Sequence, residues 1–409
     1  MIPDATISST GRVDLIDALR GLALLGILWI NMTGHALPFF SMWNPTIAGG
    51  DDPVNLGAWA TSEIVVEGAM RGLFSLLFGV SMLLFMRVED RAALFARRNL
   101  WLIGFGLIHG FLLLMPGDIL VTYGVCAFLI FPLRHAPTRL LAAASIACTL
   151  LLAGIEFADS LENRALAQAA SAPGASSVTI EEFAALTGPP PQVVADLNER
   201  AKIGYSALLP YMAGAYWETL TSWTFPKMIV DALAMMFAGM ALYRAGLFSD
   251  RWPMARLMLF GGLLAAAAIA ARAAAIGDFM AHGYVENINP AAEAVREIAR
   301  PTLAVAYAVL FAGLWRSGAL GGIAAALKAL GRTAFTHYIG GTIIATTLFY
   351  GHGFGLYGKF DRIGVYAIII AVWTAQTLFS LAWLRHFRAG PLEWAWRSLV
   401  AGAPQPVRR

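Results

Sequence analysis

The chain has 409 residues, of which 58% are hydrophobic and 13% charged. Soluble domains carry about 25% charged residues, so this composition excludes a soluble enzyme and makes lipid the expected solvent. A formal net charge of +3 is too small for a nucleic-acid binder, whose signature is a strongly basic face.

A hydrocarbon core about 30 Å thick needs about 20 apolar residues at a rise of 1.5 Å. Runs of that kind predict spans over 18–37, 64–86, 99–115, 117–134, 139–158, 226–244, 255–276, 300–316, 333–350 and 363–384. The first run has no clear basic leader beyond Arg12 and Arg20 and reads as an uncleaved span. Pro116, Gly117 and Asp118 alone join the third and fourth spans, which predicts a tight antiparallel hairpin. Residues 159–225 form the one long insertion. Its first part, with Ser171–Ser177 and Gly188-Pro189-Pro190-Pro191, predicts loop. The stretch 192–222 is amphipathic and predicts helix along the outer interface, with a dip of 203–222 into the membrane as the alternative.

The expected fold is an all-α polytopic membrane helix bundle of about ten transmembrane helices. It divides into a five-helix part (1–158), an extracytoplasmic insertion (159–225) and a second five-helix part (226–409). With the N-terminus in the cytoplasm, 19 of the 29 Lys and Arg residues fall on the cytoplasmic side and 8 outside, with Arg71 and Arg272 inside spans. Basic residues are retained in the cytoplasm, so both termini are expected there. Cys126 and Cys148 sit singly in apolar runs and form no disulfide or metal framework. No phosphate loop, dinucleotide fingerprint or nucleophile elbow occurs, and no metal or covalently held cofactor is expected.

Ionisable groups inside spans are costly, face the protein interior and are functional candidates. Asp14 is placed to cap the first helix, and Asp17 and Arg20 share one face at its cytoplasmic edge. A capped, snorkelling helix start explains them as well as a site does. Glu67 and Arg71, four apart at the outer end of the second span, predict an ion pair, either an interhelical pin or part of a site. His109 lies about ten residues into the third span, hence ~15 Å deep. It is a candidate general base, nucleophile or simply a satisfied core histidine. Asp118 caps the fourth helix beside Tyr123 and stands one hairpin turn from His109, where it can orient the ring. Thr336-His337-Tyr338 in the ninth span suits helix–helix hydrogen bonding and function equally.

Several stretches carry a resemblance. Asp17-Ala18-Leu19-Arg20-Gly21 running to Asn31, Arg97 through Tyr123, and Gly331-Arg332 through Phe387-Arg388-Ala389-Gly390-Pro391-Leu392-Glu393-Trp394 resemble the YeiB-like family of bacterial membrane proteins, domain of unknown function 418. That family is similar to the transmembrane acyltransferases. The resemblance implies a multi-pass protein of the bacterial cytoplasmic (inner) membrane that takes an acyl group from cytoplasmic acyl-CoA. The acceptor it implies is a sugar or other polar, or lipid-linked, molecule. Sugar O-acylating relatives carry a histidine where this chain has Asn31, and the YeiB-like pattern shows asparagine at His337. The resemblance therefore gives the catalytic part to His109, with Asp118 or Glu67 setting its tautomer. Arg97 and Arg98 stand ready for donor phosphates, and Asp17, Arg20, Asn31, Arg71, Tyr123, His337 and Tyr338 complete the expected binding set. The competing reading is a transporter using the same buried charges for solute or protons; a third is a structural component without turnover.

Overall fold

The computed structural model describes residues 9–86, 92–249 and 251–408, the side chains of 9–13 excepted. Arg87, Arg91 and Arg409, counted above as cytoplasmic, lie outside the described residues, as does the side chain of Arg12. Among the described residues no strand forms; the one β-type contact is an isolated bridge between Phe387 and Arg408. The helices are α1 (Ser9–Ala36), α2 (Pro53–Val65), α3 (Ala69–Phe85), α4 (Ala92–Leu112), α5 (Leu120–Ile130), α6 (Thr138–Ala170), α7 (Ser177–Ala185) and α8 (Pro191–Ile203). They continue as α9 (Tyr205–Thr221), α10 (Thr224–Ala245), α11 (Met254–Ala281), α12 (Pro290–Ser317), α13 (Gly321–Arg332), α14 (Ala334–Phe349), α15 (Arg362–His386) and α16 (Pro391–Ala401).

The chain is an all-α polytopic membrane bundle. Seven helical units are long and apolar enough to cross a bilayer: α1 from Asp14, α2 with α3, α6, α10, α11, α12 and α15. The other three expected spans fall on α4, on α5 and on α14, which has only 16 residues. Short helices are admissible at membrane depth where the irregular backbone that ends them is buried in protein. That is the case for the α4–α5 turn, where Leu114, Met115, Asp118 and Ile119 are all buried. Leu114 of this turn packs in one cluster with Met32 of α1, Leu197 of α8, Leu208 of α9 and Phe349 of α14.

Three expectations are corrected. First, helix α1 reaches back to Ser9, so Asp14 is not its cap; it pairs instead with Lys328 of α13 at 3.0 Å. Second, Glu67 and Arg71 form no direct ion pair. The i, i+4 argument assumes one continuous helix, but α2 ends at Val65 and Gly68 takes φ 62°, a left-handed turn that glycine enters without steric cost. The break sends Glu67 to Arg272 of α11 (3.5 Å) and Arg71 to Asp231 of α10 (3.3 Å). Third, within the insertion 159–225 the loop is confined to short stretches around 171–176 and 186–190, while α6 extends to Ala170, α7 forms between them and α8 and α9 take up the helix expected over 192–222. The 33-residue α6 continues past the apolar run through Leu161-Glu162-Asn163-Arg164-Ala165-Leu166-Ala167, whose good helix formers keep the backbone wound after hydropathy fades. Helix α9 leans on the outer half of α4: the Tyr205 hydroxyl donates to the Leu112 carbonyl (3.0 Å) and that of buried Tyr216 to the Gly106 carbonyl (3.3 Å).

Candidate functional site

Two cavities occupy different levels of the bundle and share part of one wall. The larger, about 980 Å³, lies at the arginine-rich end of the bundle, the end expected to face the cytoplasm. Among the described residues five guanidinium groups line it: Arg20 of α1, Arg98 of α4, Arg332 of α13, Arg388, and Arg397 of α16. Among the described residues, two carboxylates, Asp17 and Glu393, share the lining. Asp17 is committed to Arg20 at 2.6 Å, and the other end of that guanidinium donates to Ser81 at 2.9 Å. Deeper in, the walls become aromatic and apolar, with Phe74, Phe78, Tyr123, Phe335 and Leu120. A strongly cationic mouth over an aromatic throat suits a ligand with phosphates at one end and an apolar arm at the other.

Arg98 is held over three rings, 5.0 Å from Trp396, 5.3 Å from Phe85 and 5.9 Å from Phe78. Arg97 does not line the cavity; it donates to the Leu399 carbonyl at 3.3 Å. The two arginines therefore do not act together as expected. Successive residues on a helix project about 100° apart, and α4 turns Arg98 inward and Arg97 toward α16.

Helix α16 closes one wall of this cavity. Glu393 serves as a cap for α14 supplied from outside that helix. Its carboxylate accepts the Phe335 N–H at 2.6 Å, the Thr336 N–H at 3.2 Å and the Thr336 hydroxyl at 2.5 Å. Burial pushes the Glu393 carboxyl above the ordinary glutamate value of 4.5, against the downward pull of those donors. A carboxyl raised on folding stabilises the docked arrangement fully below its ordinary value, and that contribution is lost as pH rises through the raised value. Docking of α16 is thus expected to loosen as pH climbs above 4.5. Amide hydrogen exchange across 391–401, corrected for intrinsic rates, measures it; in Glu393→Gln the pH dependence should vanish.

The smaller cavity, about 110 Å³, lies toward the other end of the bundle and is lined by Asn31, Glu67, Gly68, Arg71 and Gly117 among others. Its charges are neutralised from behind. Glu67 faces Arg272, which also donates to the Glu63, Ile64 and Glu67 carbonyls. Arg71 faces Asp231, which also holds Arg300 at 2.8 Å, and Arg300 in turn holds Glu297 at 2.7 Å.

Two residues, Ile119 and Tyr338, line both cavities. Behind Tyr338 stands a buried polar file. The Tyr338 hydroxyl donates to Asp118 Oδ1 and accepts the Ile119 N–H, each at 3.3 Å. Asp118 Oδ2 accepts the Leu120 and Val121 N–H groups at 2.8 and 3.2 Å, so Asp118 performs the capping expected of it. Asp118 Oδ1 also meets His109 Nδ1 at 2.7 Å, while His109 Nε2 meets the Thr342 hydroxyl at 2.9 Å. A carboxylate only accepts, so Nδ1 carries the proton toward Asp118, while Nε2 shares a hydrogen bond with the Thr342 hydroxyl.

The structure thus joins His109 to Asp118, not to Glu67, and leaves the imidazole fully buried with both nitrogens engaged and in neither cavity. Tyr123 lines the large cavity with its hydroxyl 2.6 Å from Ser75. His337 points away from both cavities to Ser380 of α15, at 2.6 Å. Asp231, Thr342, Trp396 and the cavity role of Arg397 were not read from the sequence. Asp231 gave the clearest signal, an acidic residue inside an expected span; the others depend on contacts between distant helices. Among the described residues no group of three His, Cys, Asp or Glu side chains is placed to hold a metal ion.

Comparison with known proteins finds relatives that match along nearly the whole chain. Residues 242–403 match the family model described as protein of unknown function (DUF418). The chain is 31% identical to the uncharacterized protein YeiB of Escherichia coli (strain K12) over 395 residues, covering 96% of this chain and 97% of that one. It is 26% identical to the uncharacterized protein YxaH of Bacillus subtilis (strain 168), covering 97% and 96%. A third relative, an uncharacterized 39.9 kDa protein in the amylase 3′ region of Bacillus acidopullulyticus, is 25% identical over 97% of this chain. No solved structure matches.

Proposed function

The chain belongs to the DUF418 family, and from that premise and its two abutting cavities we propose that it is an acyltransferase of the bacterial cytoplasmic membrane. In this reading it takes the acyl group of cytoplasmic acyl-CoA and passes it to a sugar or lipid-linked acceptor presented from the outer side. The observation that carries the proposal is the seam: a large basic cavity from the cytoplasm and a small polar cavity from outside share Ile119 and Tyr338. Arg20, Arg98, Arg332, Arg388 and Arg397 would hold the phosphates of the donor. The pantetheine arm and acyl chain would run along Phe74, Phe78, Leu120 and Tyr123 to bring the thioester to the seam. Closing a thioester and an acceptor hydroxyl against each other in a dry interior supplies proximity and excludes competing water.

Acyl-CoA binding to the purified protein in detergent tests this. Wild type should bind saturably, and Arg98→Ala/Arg397→Ala should bind about 10- to 100-fold more weakly, the worth of one lost charge-assisted contact or two. Arg97→Ala should bind like wild type. Absence of saturable binding by folded wild type would sink the proposal, and the two cavities with their buried ion pairs would then be read as the halves of a solute path.

A further inference from the structure

We propose that Tyr338 is the catalytic proton-transfer residue of this site, that His109 with Asp118 positions it, and that the acceptor group is an uncharged hydroxyl. The inference rests on the acyl-transfer reading.

His109 is sealed from both cavities, and each ring nitrogen already has a partner, Asp118 on one side and Thr342 on the other. An imidazole so placed neither meets an incoming hydroxyl nor takes an acyl group. Of the two residues common to both cavities, Ile119 has no proton to exchange. Tyr338 does: its side chain lines both cavities, and its hydroxyl, which donates to Asp118 and accepts the Ile119 N–H, ends the file Thr342–His109–Asp118–Tyr338 with one lone pair left to accept a proton. Standing against the acceptor cavity on one side and the donor cavity on the other, one phenol serves both halves of the exchange.

The steps balance. As the acceptor oxygen bonds to the thioester carbonyl carbon, its proton passes to the Tyr338 oxygen while the Tyr338 proton passes to the Asp118 carboxylate. When the tetrahedral centre collapses, the C–S bond breaks and its electron pair leaves on sulfur. The thiolate recovers the proton from Asp118 through Tyr338, giving an ester and free coenzyme A with the enzyme restored. His109 Nδ1–H, 2.7 Å from Asp118, keeps the receiving carboxylate aimed and hydrogen-bonded throughout.

The outer cavity selects the acceptor chemistry. At about 110 Å³ against about 980 Å³ for the donor cavity, it is the smaller of the two and suits the hydroxyl-bearing edge of an acceptor. Glu67 and Arg71 oppose each other in sign and are backed by Arg272 and Asp231, so the lining presents no net charge to draw in an ionic group. The Asn31 side chain supplies a neutral amide that both donates and accepts.

The test is release of coenzyme A from acetyl-CoA by the full-length protein in nanodiscs, with glycerol as the acceptor probe, alongside acetyl-CoA binding. Tyr338→Phe should lower kcat about 100-fold or more, within the range of acid–base catalysis, with donor binding unchanged. His109→Ala should also lose turnover, whereas His109→Gln, whose amide can still donate to Asp118, should recover at least a tenth of it. If Tyr338→Phe turns over like wild type, or His109→Gln is as inactive as His109→Ala, the assignment is overturned while acyl transfer stands. If wild type binds acetyl-CoA but releases no coenzyme A, the proposed chemistry falls; if it binds none, the acyltransferase reading falls too.

Discussion

Asp118→Ala is expected to destabilise the protein by about 3–5 kcal/mol, the cost of removing one partner from a buried, hydrogen-bonded charge. An average interhelical hydrogen bond in a membrane contributes only about 0.6 kcal/mol, so most single polar truncations in this bundle should be mild. Asp118 differs because one carboxylate serves four groups: the Leu120 and Val121 N–H, the Tyr338 hydroxyl and His109 Nδ1. It is 2% exposed, so no water replaces it. Asp118→Asn keeps one oxygen and should lose less than half as much. Equilibrium unfolding in mixed micelles measures both. A loss below about 1 kcal/mol for the alanine variant would mean the stranded donors find other acceptors, contrary to the usual cost of an orphaned buried group. A folded Asp118→Asn that still binds acyl-CoA would further separate the scaffold role of this carboxylate from its place in the proton path.

How far this site could be read in advance depended on the distance between partners along the chain. His109 and Asp118 flank one hairpin, and a connection that short leaves their side chains little choice but to meet. Tyr338 and Thr342 reach the same pair from more than 200 residues away. Composition marks them as polar residues in a span but says nothing about which neighbour they face. The same limit misassigned Arg71 and Glu67. Both were recognised as costly charges in need of partners, and both have them, but the partners sit on α10 and α11. Adjacent pairs were the other weak point: Arg97 and Arg98, like His337 and Tyr338, look alike in sequence, yet the helical turn gives each member a different surface to face.

The spans themselves were legible because lipid demands long apolar runs and helices that satisfy their own backbone. Every expected span lies on a helix, although α4, α5 and α14 fall outside the set long and apolar enough to cross by themselves. Hydropathy was a poor guide to where helices stop. It ended α6 at 158, whereas the helix runs to Ala170, and it gave no sign of the break at Gly68. That break decides the outer cavity: it frees the Glu63, Ile64 and Glu67 carbonyls to be gathered by the buried Arg272 guanidinium.

Gly331→Ala is expected to be the most damaging single-methyl change at the arginine-rich end of the bundle. A Cβ on Gly331 would overlap the backbone oxygen of Asp17, and one on Gly21 would overlap the backbone oxygen of Leu327. Helices α1 and α13 therefore touch backbone to backbone, the packing that small residues permit in membranes. A flexible side chain could swing aside; a carbonyl inside a helix can move only with its helix. Overpacking typically costs about 1–3 kcal/mol, and this contact should reach the upper end or exceed it. Gly340→Ala is the matched control, since a Cβ there meets nothing within 4 Å and the helix gains by losing a glycine. Thermal unfolding in detergent should show a large drop for the first and none for the second. The displaced helices carry Asp17 and Arg20 on one side and Arg332 on the other, so any Gly331→Ala protein that folds should also bind acyl-CoA more weakly. Equal melting temperatures for the two variants would mean that α1 and α13 can part freely, and a cavity wall that loose would not hold five like charges at fixed separations around a ligand.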